Sequence, residues 1–81
     1  MLGVTIKLSA HALRQMERRG ITVEDIRPLL KIGDVTPDPA VAPPGSKFEL
    51  EGPVRRHRRD VRVIFTLENR AMFVITAMFV D

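Results

Sequence analysis

Cysteine, tryptophan and tyrosine are all missing from this chain. Without cysteine there is no disulfide bond, no thiolate nucleophile and no zinc–thiolate site. Without tryptophan or tyrosine, base stacking would fall to the four phenylalanines, whose positions suggest core packing, so a nonspecific single-strand groove built on aromatic platforms is disfavoured. The sequence also lacks a glycine-rich phosphate loop and carboxylates at metal-ligand spacing, so we expect neither a metal nor a nucleotide cofactor.

Long apolar segments are missing as well. No apolar run approaches the ~20 residues of a membrane-spanning helix, and no apolar segment follows a basic start at the N-terminus, as it would in a signal peptide. The remaining composition, 44% hydrophobic and 28% charged over 81 residues, is that of an ordinary globular protein. We therefore predict one cytoplasmic domain, residues 1–81, whose core is small enough that a homodimer or a bound partner chain is expected.

Positive charge predominates, because 13 basic residues oppose 10 acidic ones and the formal net charge is +3. Ten of the thirteen are arginines. The planar fork of arginine suits bidentate contacts to phosphate or carboxylate, which favours anionic partners. Genomes rich in G and C favour arginine over lysine whatever the function, and this compositional explanation stays open.

The first part of the chain predicts a strand followed by a helix. Residues 4–8 alternate between apolar and polar side chains, as in a short half-buried strand. Ser9 is placed to cap a helix, and Gly20 stands where such a helix ends in a left-handed residue. Three apolar residues of this helix share the side that we expect to meet the core: Ala12, Leu13 and Met16.

A second helix is predicted directly afterwards. Thr22 and Asp25 have the spacing of a capping box, and Ile21 with Ile26 fits a hydrophobic staple across it. Pro28 removes an amide donor, so we expect a kink there or a restart of the helix. Gly33 is expected to stop it.

The remainder predicts a proline-rich loop and three antiparallel strands. Residues 34–46 contain four prolines, so most of them should form a surface loop, with an edge strand beginning at Val35. Strands are predicted over residues 47–51, 58–67 and 71–80, with a tight turn at Glu68-Asn69 before the last. The last strand is apolar on both faces, which suggests a central strand or a dimer interface. The resulting fold class is α+β in the order β-α-α-β-β-β, with two helices across one face of a mostly antiparallel sheet.

One group of candidate functional residues lies on the predicted first helix. His11, Arg14 and Arg18 are spaced i, i+3 and i+7, so they share its outer side over ~10 Å, a length that could contact two neighbouring phosphates. Histidine transfers protons near neutral pH, and arginine stabilises the charge that develops on a phosphorus under attack. This combination is what metal-free RNA cleavage needs. The alternative is the ordinary polar face of an amphipathic helix.

A second group is a dense run of basic residues around the start of the second of the three predicted antiparallel strands. It consists of Arg55, Arg56, His57, Arg58, Arg59 and, slightly later, Arg62. Alternate residues of a strand share a face, so Arg56, Arg58 and Arg62 could form one basic surface for nucleic acid or for an acidic protein. The alternative is a solvated turn or a strand edge that is charged against aggregation.

The Ser-x-His-Ala, Arg-x-Met and Arg-Gly-Ile elements within residues 9–21 resemble those of a widespread family of small uncharacterised bacterial domains. Ile75-Thr76 resembles the Ile-Thr element in the last strand of that family. The layout is similar to that of RelE/ParE/BrnT-type toxins, many of which are ribonucleases, ribosome-dependent or free, neutralised by a cognate antitoxin. The resemblance implies a RelE-like fold and an RNA-cleaving or toxin-like domain, with His11, Arg14 and Arg18 at the family motif.

Three functions therefore remain open, and one of them is a structural or dimerising domain that uses the two apolar faces of the last strand. The other two involve the basic residues. The first is a metal-independent endoribonuclease of a toxin–antitoxin system, in which His11 transfers protons, Arg14 and Arg18 hold phosphate, and an antitoxin protein is the partner. The second is a non-catalytic basic module that binds nucleic acid or an acidic protein.

Overall fold

The computed structural model describes residues 5–32, 34–37 and 47–80, with backbone alone for residues 34–37. The order of elements is β1 (Thr5–Leu8), α1 (Ala10–Arg19), α2 (Val23–Ile26), α3 (Leu29–Ile32), β2 (Asp34–Pro37), β3 (Phe48–Val54), β4 (Arg59–Glu68) and β5 (Ala71–Val80).

The strands form one mixed sheet in the order β1-β5-β4-β3-β2. The three long strands β3, β4 and β5 pair antiparallel, β1 pairs parallel with β5, and β2 adds an antiparallel edge strand to β3. Pro37, which cannot donate to a ladder, is tolerated in β2 because this strand has a neighbour on one side only. β5 thus lies inside the sheet between β1 and β4. It is therefore a central strand, which was one of the two alternatives predicted for it.

The caps predicted from the sequence set the helix ends. The Ser9 hydroxyl accepts from the Ala12 amide at 3.0 Å, and Gly20 ends α1 in the left-handed region at φ 72°. Thr22 and Asp25 form the complete capping box at the start of α2. The break expected at Pro28 is also present, because α2 ends at Ile26 and α3 begins at Leu29.

The core lies between the helices and one face of the sheet. α1 packs against β5 and β1, while α3 packs against β3. The fully buried side chains come from both layers, with Ile26 and Leu29 from the helices and Leu50, Val63 and Val74 from the sheet. Burying such side chains stabilises the fold by about 1.5–3 kcal/mol each before the entropy cost of ordering them.

The opposite face of the sheet carries half-buried side chains of mixed character. Arg62 lies between Glu51 on β3 and Met78 on β5, and Ile64 lies opposite Glu49. All five are half-buried. The helices pack against the other face of the sheet. This agrees with the prediction that the helices lie across one face.

The structure corrects several details of the sequence-based prediction. Leu13 is 46% exposed, so it is not a core residue, whereas Ala12 and Met16 are buried. β3 continues to Val54, three residues beyond the predicted end, and the last turn is centred on Asn69 and Arg70, both with positive φ, one residue later than expected. Val4, Gly33 and residues 38–46, for which the sequence predicts a surface loop, lie outside the described residues. Among the described helices, none is long and apolar enough to cross a membrane.

Candidate functional site

The basic run forms the connection between β3 and β4. Residues 55–58 make a tight turn, in which the His57 amide donates to the Val54 carbonyl and the Arg58 amide donates to the Arg55 carbonyl, each at 3.1 Å. Arg58 has a positive φ of 55°. The expectation that Arg56, Arg58 and Arg62 share one face of a strand is therefore wrong. Four of the five consecutive basic residues lie in a turn rather than on a strand.

Asp25 is the centre of this part of the molecule. Arg56 donates from Nε to Asp25 Oδ1 at 3.1 Å and from Nη2 to Oδ2 at 2.6 Å. The same Nη2 reaches the Gly20 carbonyl at 2.7 Å, and His57 Nε2 lies 3.2 Å from Asp25 Oδ2. We call Asp25, Arg56, His57 and the Gly20 carbonyl the Asp25 junction. It ties the end of α1, the start of α2 and the β3–β4 turn together.

The electrostatics of the junction follow from these contacts. The Asp25 side chain is only 8% exposed, and its capping role already gives Oδ2 the Thr22 amide at 3.0 Å. Hydrogen bonds from the Arg56 guanidinium above all hold the pKa of Asp25 well below its usual value, against the opposing effect of burial. The carboxylate in turn raises the pKa of Arg56. Arg56 therefore has a structural partner, although 56% of its side chain remains exposed.

The junction brings the C-terminal end of the first predicted basic group close to the second group. Gly20 ends α1 and touches the turn, so Arg18, two residues earlier, lies at the helix end nearest the basic run. His11 lies in the first turn of α1, and a rise of about 1.5 Å per residue separates it from Gly20 by ~13 Å along the helix. His11, Arg14 and Arg18 are all exposed. The structure therefore places the C-terminal part of the motif beside the turn, and His11 at the other end of the helix.

Phe79 on β5 is enclosed by side chains of the basic run. The His57 ring meets it edge-on, with centroids 5.0 Å apart and an interplanar angle of 70°. The Arg59 guanidinium lies over its face, 4.3 Å from the centroid, in cation–π geometry. Phe79 therefore packs against two side chains of the basic run, those of His57 and Arg59.

Arg62 belongs to a different surface. Its Nε lies 3.0 Å from Glu51 Oε1 and 3.4 Å from Glu49 Oε1, on the open face of the sheet. The bond to Glu51 and the charge of Glu49 raise the pKa of Arg62. This arginine is therefore neutralised within the sheet and is separated from the turn that carries the other basic residues.

Solvent reaches the junction from one side. Arg55 and Arg56 line an open cleft of ≈ 390 Å³ between the α2–α3 segment and the end of β3, which Glu24, Pro28 and Ile32 also line. The cleft is thus lined by two guanidinium groups and by the carboxylates of Glu24 and Asp25. Among the described residues, no group of three or more histidine, aspartate or glutamate side chains is arranged to hold a metal ion.

Sequence reasoning missed Asp25 as part of the site. The capping-box spacing explains one of its contacts, and nothing local indicates a partner 31 residues away. One signal in the sequence was the excess of positive charge in the run of arginine and histidine. Such an excess favours a carboxylate partner from another part of the fold.

Comparisons with known proteins identify a family without assigning an activity. Neither a search of curated proteins nor a search of solved structures gives a match. A family model described as a domain of unknown function, DUF4258, matches residues 8–79, from the last residue of β1 to the penultimate residue of β5. The match includes α1, the Asp25 junction and Phe79. The chain therefore belongs to the DUF4258 family.

Proposed function

We propose that this chain binds RNA through an arginine surface, which we define as the exposed side chains Arg14, Arg18, Arg55 and Arg58. The single observation that carries this proposal is the 2.7 Å bond from Arg56 to the Gly20 carbonyl. Through it, charges from two segments that are far apart in the sequence add at one end of the domain. A concentration of arginines attracts the phosphate backbone and releases its counterions.

The pairing of three carboxylates supports the same proposal. Asp25 is already neutralised by Arg56, and Glu49 and Glu51 are occupied by Arg62 on a different surface of the sheet. These three acids are thus paired with arginines outside the arginine surface, while Glu24 lines the cleft beside Arg55. A partner that supplies several phosphates suits such a surface better than a single small anion.

The test is the salt dependence of binding to a single-stranded RNA of about twenty nucleotides. Four phosphate contacts predict a slope of log K against log salt near −3, since each contributes about −0.7 on single strands. Changing Arg18 and Arg58 together to Gln should lower the affinity and reduce the slope by about 1.4. Lys7→Gln, at an exposed position of β1, is the matched control. Binding that is equally strong in the double variant overturns the proposal.

A second candidate is a toxin-like, metal-independent endoribonuclease with a RelE-like fold, partnered by an antitoxin protein that covers the arginine surface. The observation that favours it is the exposure of His11 on the same stripe of α1 as Arg14 and Arg18. In this function His11 transfers protons while Arg14 and Arg18 hold the phosphate.

Induced expression of the chain alone tests this candidate. Growth arrest together with RNA cleavage by the purified protein in excess EDTA supports it, and His11→Ala should then relieve both. Lys7→Gln again serves as the control. Normal growth at high expression, with intact RNA in vitro, eliminates the enzyme and leaves the binding function.

A further inference from the structure

We propose that His57, oriented by Asp25, is the base that takes the proton from the attacking 2′-hydroxyl of RNA. This inference rests on the endoribonuclease candidate and moves its proton-transfer step away from His11. It adds Asp25 as a positioning residue, a role that capping-box spacing alone does not suggest.

The contact between the ring and the carboxylate fixes the tautomer of His57. A carboxylate only accepts hydrogen bonds, so the Nε2 atom, 3.2 Å from Asp25 Oδ2, carries the hydrogen. The lone pair of the ring is then on Nδ1, where a base needs it. The guanidinium only donates, and Arg56 Nη2 lies 3.0 Å from the same Nε2. The two hydrogens of Nη2, however, are taken by Asp25 Oδ2 at 2.6 Å and by the Gly20 carbonyl at 2.7 Å, so Nε2 is left to donate to the carboxylate.

The ring is also held by packing. Phe79 meets it edge-on, and 15% of the His57 side chain remains exposed. A base held in one orientation avoids the entropy cost of being positioned during the reaction. His11, by contrast, is exposed in the first turn of α1, and among the described residues no carboxylate contacts it. Of the two histidines, His57 therefore has the surroundings of a positioned base.

The neighbours of His57 suit a phosphodiester. Arg55 and Arg58 belong to the same four-residue turn and are exposed, so a phosphate bound by them lies next to the ring. Positive charge at that point stabilises the extra negative charge that the phosphorus gains during attack.

The reaction uses only RNA. His57 Nδ1 takes the 2′-hydroxyl proton, the 2′-oxygen forms a bond to the adjacent phosphorus, and the bond from phosphorus to the 5′-oxygen breaks. The products are a 2′,3′-cyclic phosphate and a 5′-hydroxyl, whose proton comes from water. The imidazolium then returns its proton to the solvent.

The kinetic experiment compares cleavage of a short single-stranded RNA in EDTA by the wild type and four variants. His57→Gln should lower kcat by at least about 100-fold, the usual contribution of a general base, with KM within threefold. Asp25→Asn should also lower kcat with little change in KM. Lys7→Gln is the control, and circular dichroism melting checks that each variant is folded. Added imidazole should restore part of the activity of His57→Ala, which a purely structural role would not allow.

Each outcome separates this inference from the function on which it rests. If the wild type cleaves and His57→Gln keeps its kcat, or if His11→Ala alone causes the large loss, His57 is not the base and the endoribonuclease stands. If the wild type does not cleave, both fall. If His57→Gln does not fold, addition of uridine 3′-monophosphate to the wild type decides, because the ring resonances of His57 must shift in NMR spectra and unchanged resonances overturn the assignment.

Discussion

At the scale of single residues, Asp25 does the most to define this end of the molecule. Its two oxygens receive the Thr22 amide, two donors of Arg56 and the ring of His57. The first contact starts α2, and the others fix the β3–β4 turn against the end of α1. One buried carboxylate thus sets both a helix end and the position of the basic run. The ionised form of Asp25 should therefore contribute to the free energy of unfolding of the whole domain.

Asp25→Asn should lower the melting temperature at pH 7 and weaken its dependence on pH in acid. The folded-state pKa of Asp25 lies below its ordinary value of 3.8, so the unfolded chain binds the proton more readily. The stabilisation is complete above the unfolded pKa and is lost as the pH falls through the folded one. Melting curves followed by circular dichroism between pH 2 and pH 7 should show a steeper fall below about pH 4.5 for the wild type than for Asp25→Asn.

Asp60→Asn, at an exposed carboxylate of β4, is the matched control and should follow the wild type. Parallel curves for the wild type and Asp25→Asn across the acidic range would contradict the ionised junction.

At the scale of elements, β1 and then the residues of α1 and its cap cover the same edge of β5. β1 pairs with β5 only as far as Val74, whose carbonyl receives the Ser9 amide at 3.0 Å. Beyond that point the Ser9 hydroxyl donates to the Ile75 carbonyl at 3.2 Å, and Arg19 donates to the Ala77 carbonyl at 2.6 Å. Side chains of the helix therefore satisfy carbonyl groups that would otherwise form an unpaired sheet edge.

Ser9→Ala should destabilise the domain by about 1–2 kcal/mol, because the same hydroxyl caps α1 and bonds the edge of β5. Urea denaturation followed by circular dichroism measures the loss. Ser9→Thr keeps the hydroxyl and should stay within about 0.5 kcal/mol of the wild type. Equal stability of the Ala and Thr variants would show that neither bond contributes.

The sequence predicted the features that depend on neighbouring residues. The caps at Ser9 and Thr22, the break at Pro28 and the extent of β5 follow from side-chain chemistry within a few positions, and the structure confirms them. The α+β class follows from the same local signals. The exposure of Leu13 was not predictable in this way, because it depends on how α1 sits over the edge of the sheet.

The candidate site was predictable only in its composition. The sequence shows a basic run, but the turn at residues 55–58, the pairing of Arg56 with Asp25 and the pairing of Arg62 with Glu49 and Glu51 depend on strand register and helix placement. Contacts between residues 11 to 31 positions apart have no local signature. The formal charge of an arginine is therefore a poor guide to its availability before the fold is known.

At the scale of the whole molecule, the formal net charge of +3 hides an uneven distribution. The turn and the end of α1 carry exposed arginines, whereas the open face of the sheet combines Arg62 with two glutamates. An approaching polyanion should therefore be attracted to one end of the domain rather than to the sheet face.

The proposal that this chain binds RNA predicts which arginines contribute to the salt dependence of binding. Arg58→Gln removes an exposed charge from the turn and should reduce the salt slope on single-stranded RNA by about 0.7. Arg62→Gln removes a charge that Glu49 and Glu51 already neutralise, so the slope should change by less than about 0.3. Fluorescence anisotropy titrations at four salt concentrations measure both slopes. Equal reductions would mean that RNA binds across the open face of the sheet, and the arginine surface would then have to include Arg62.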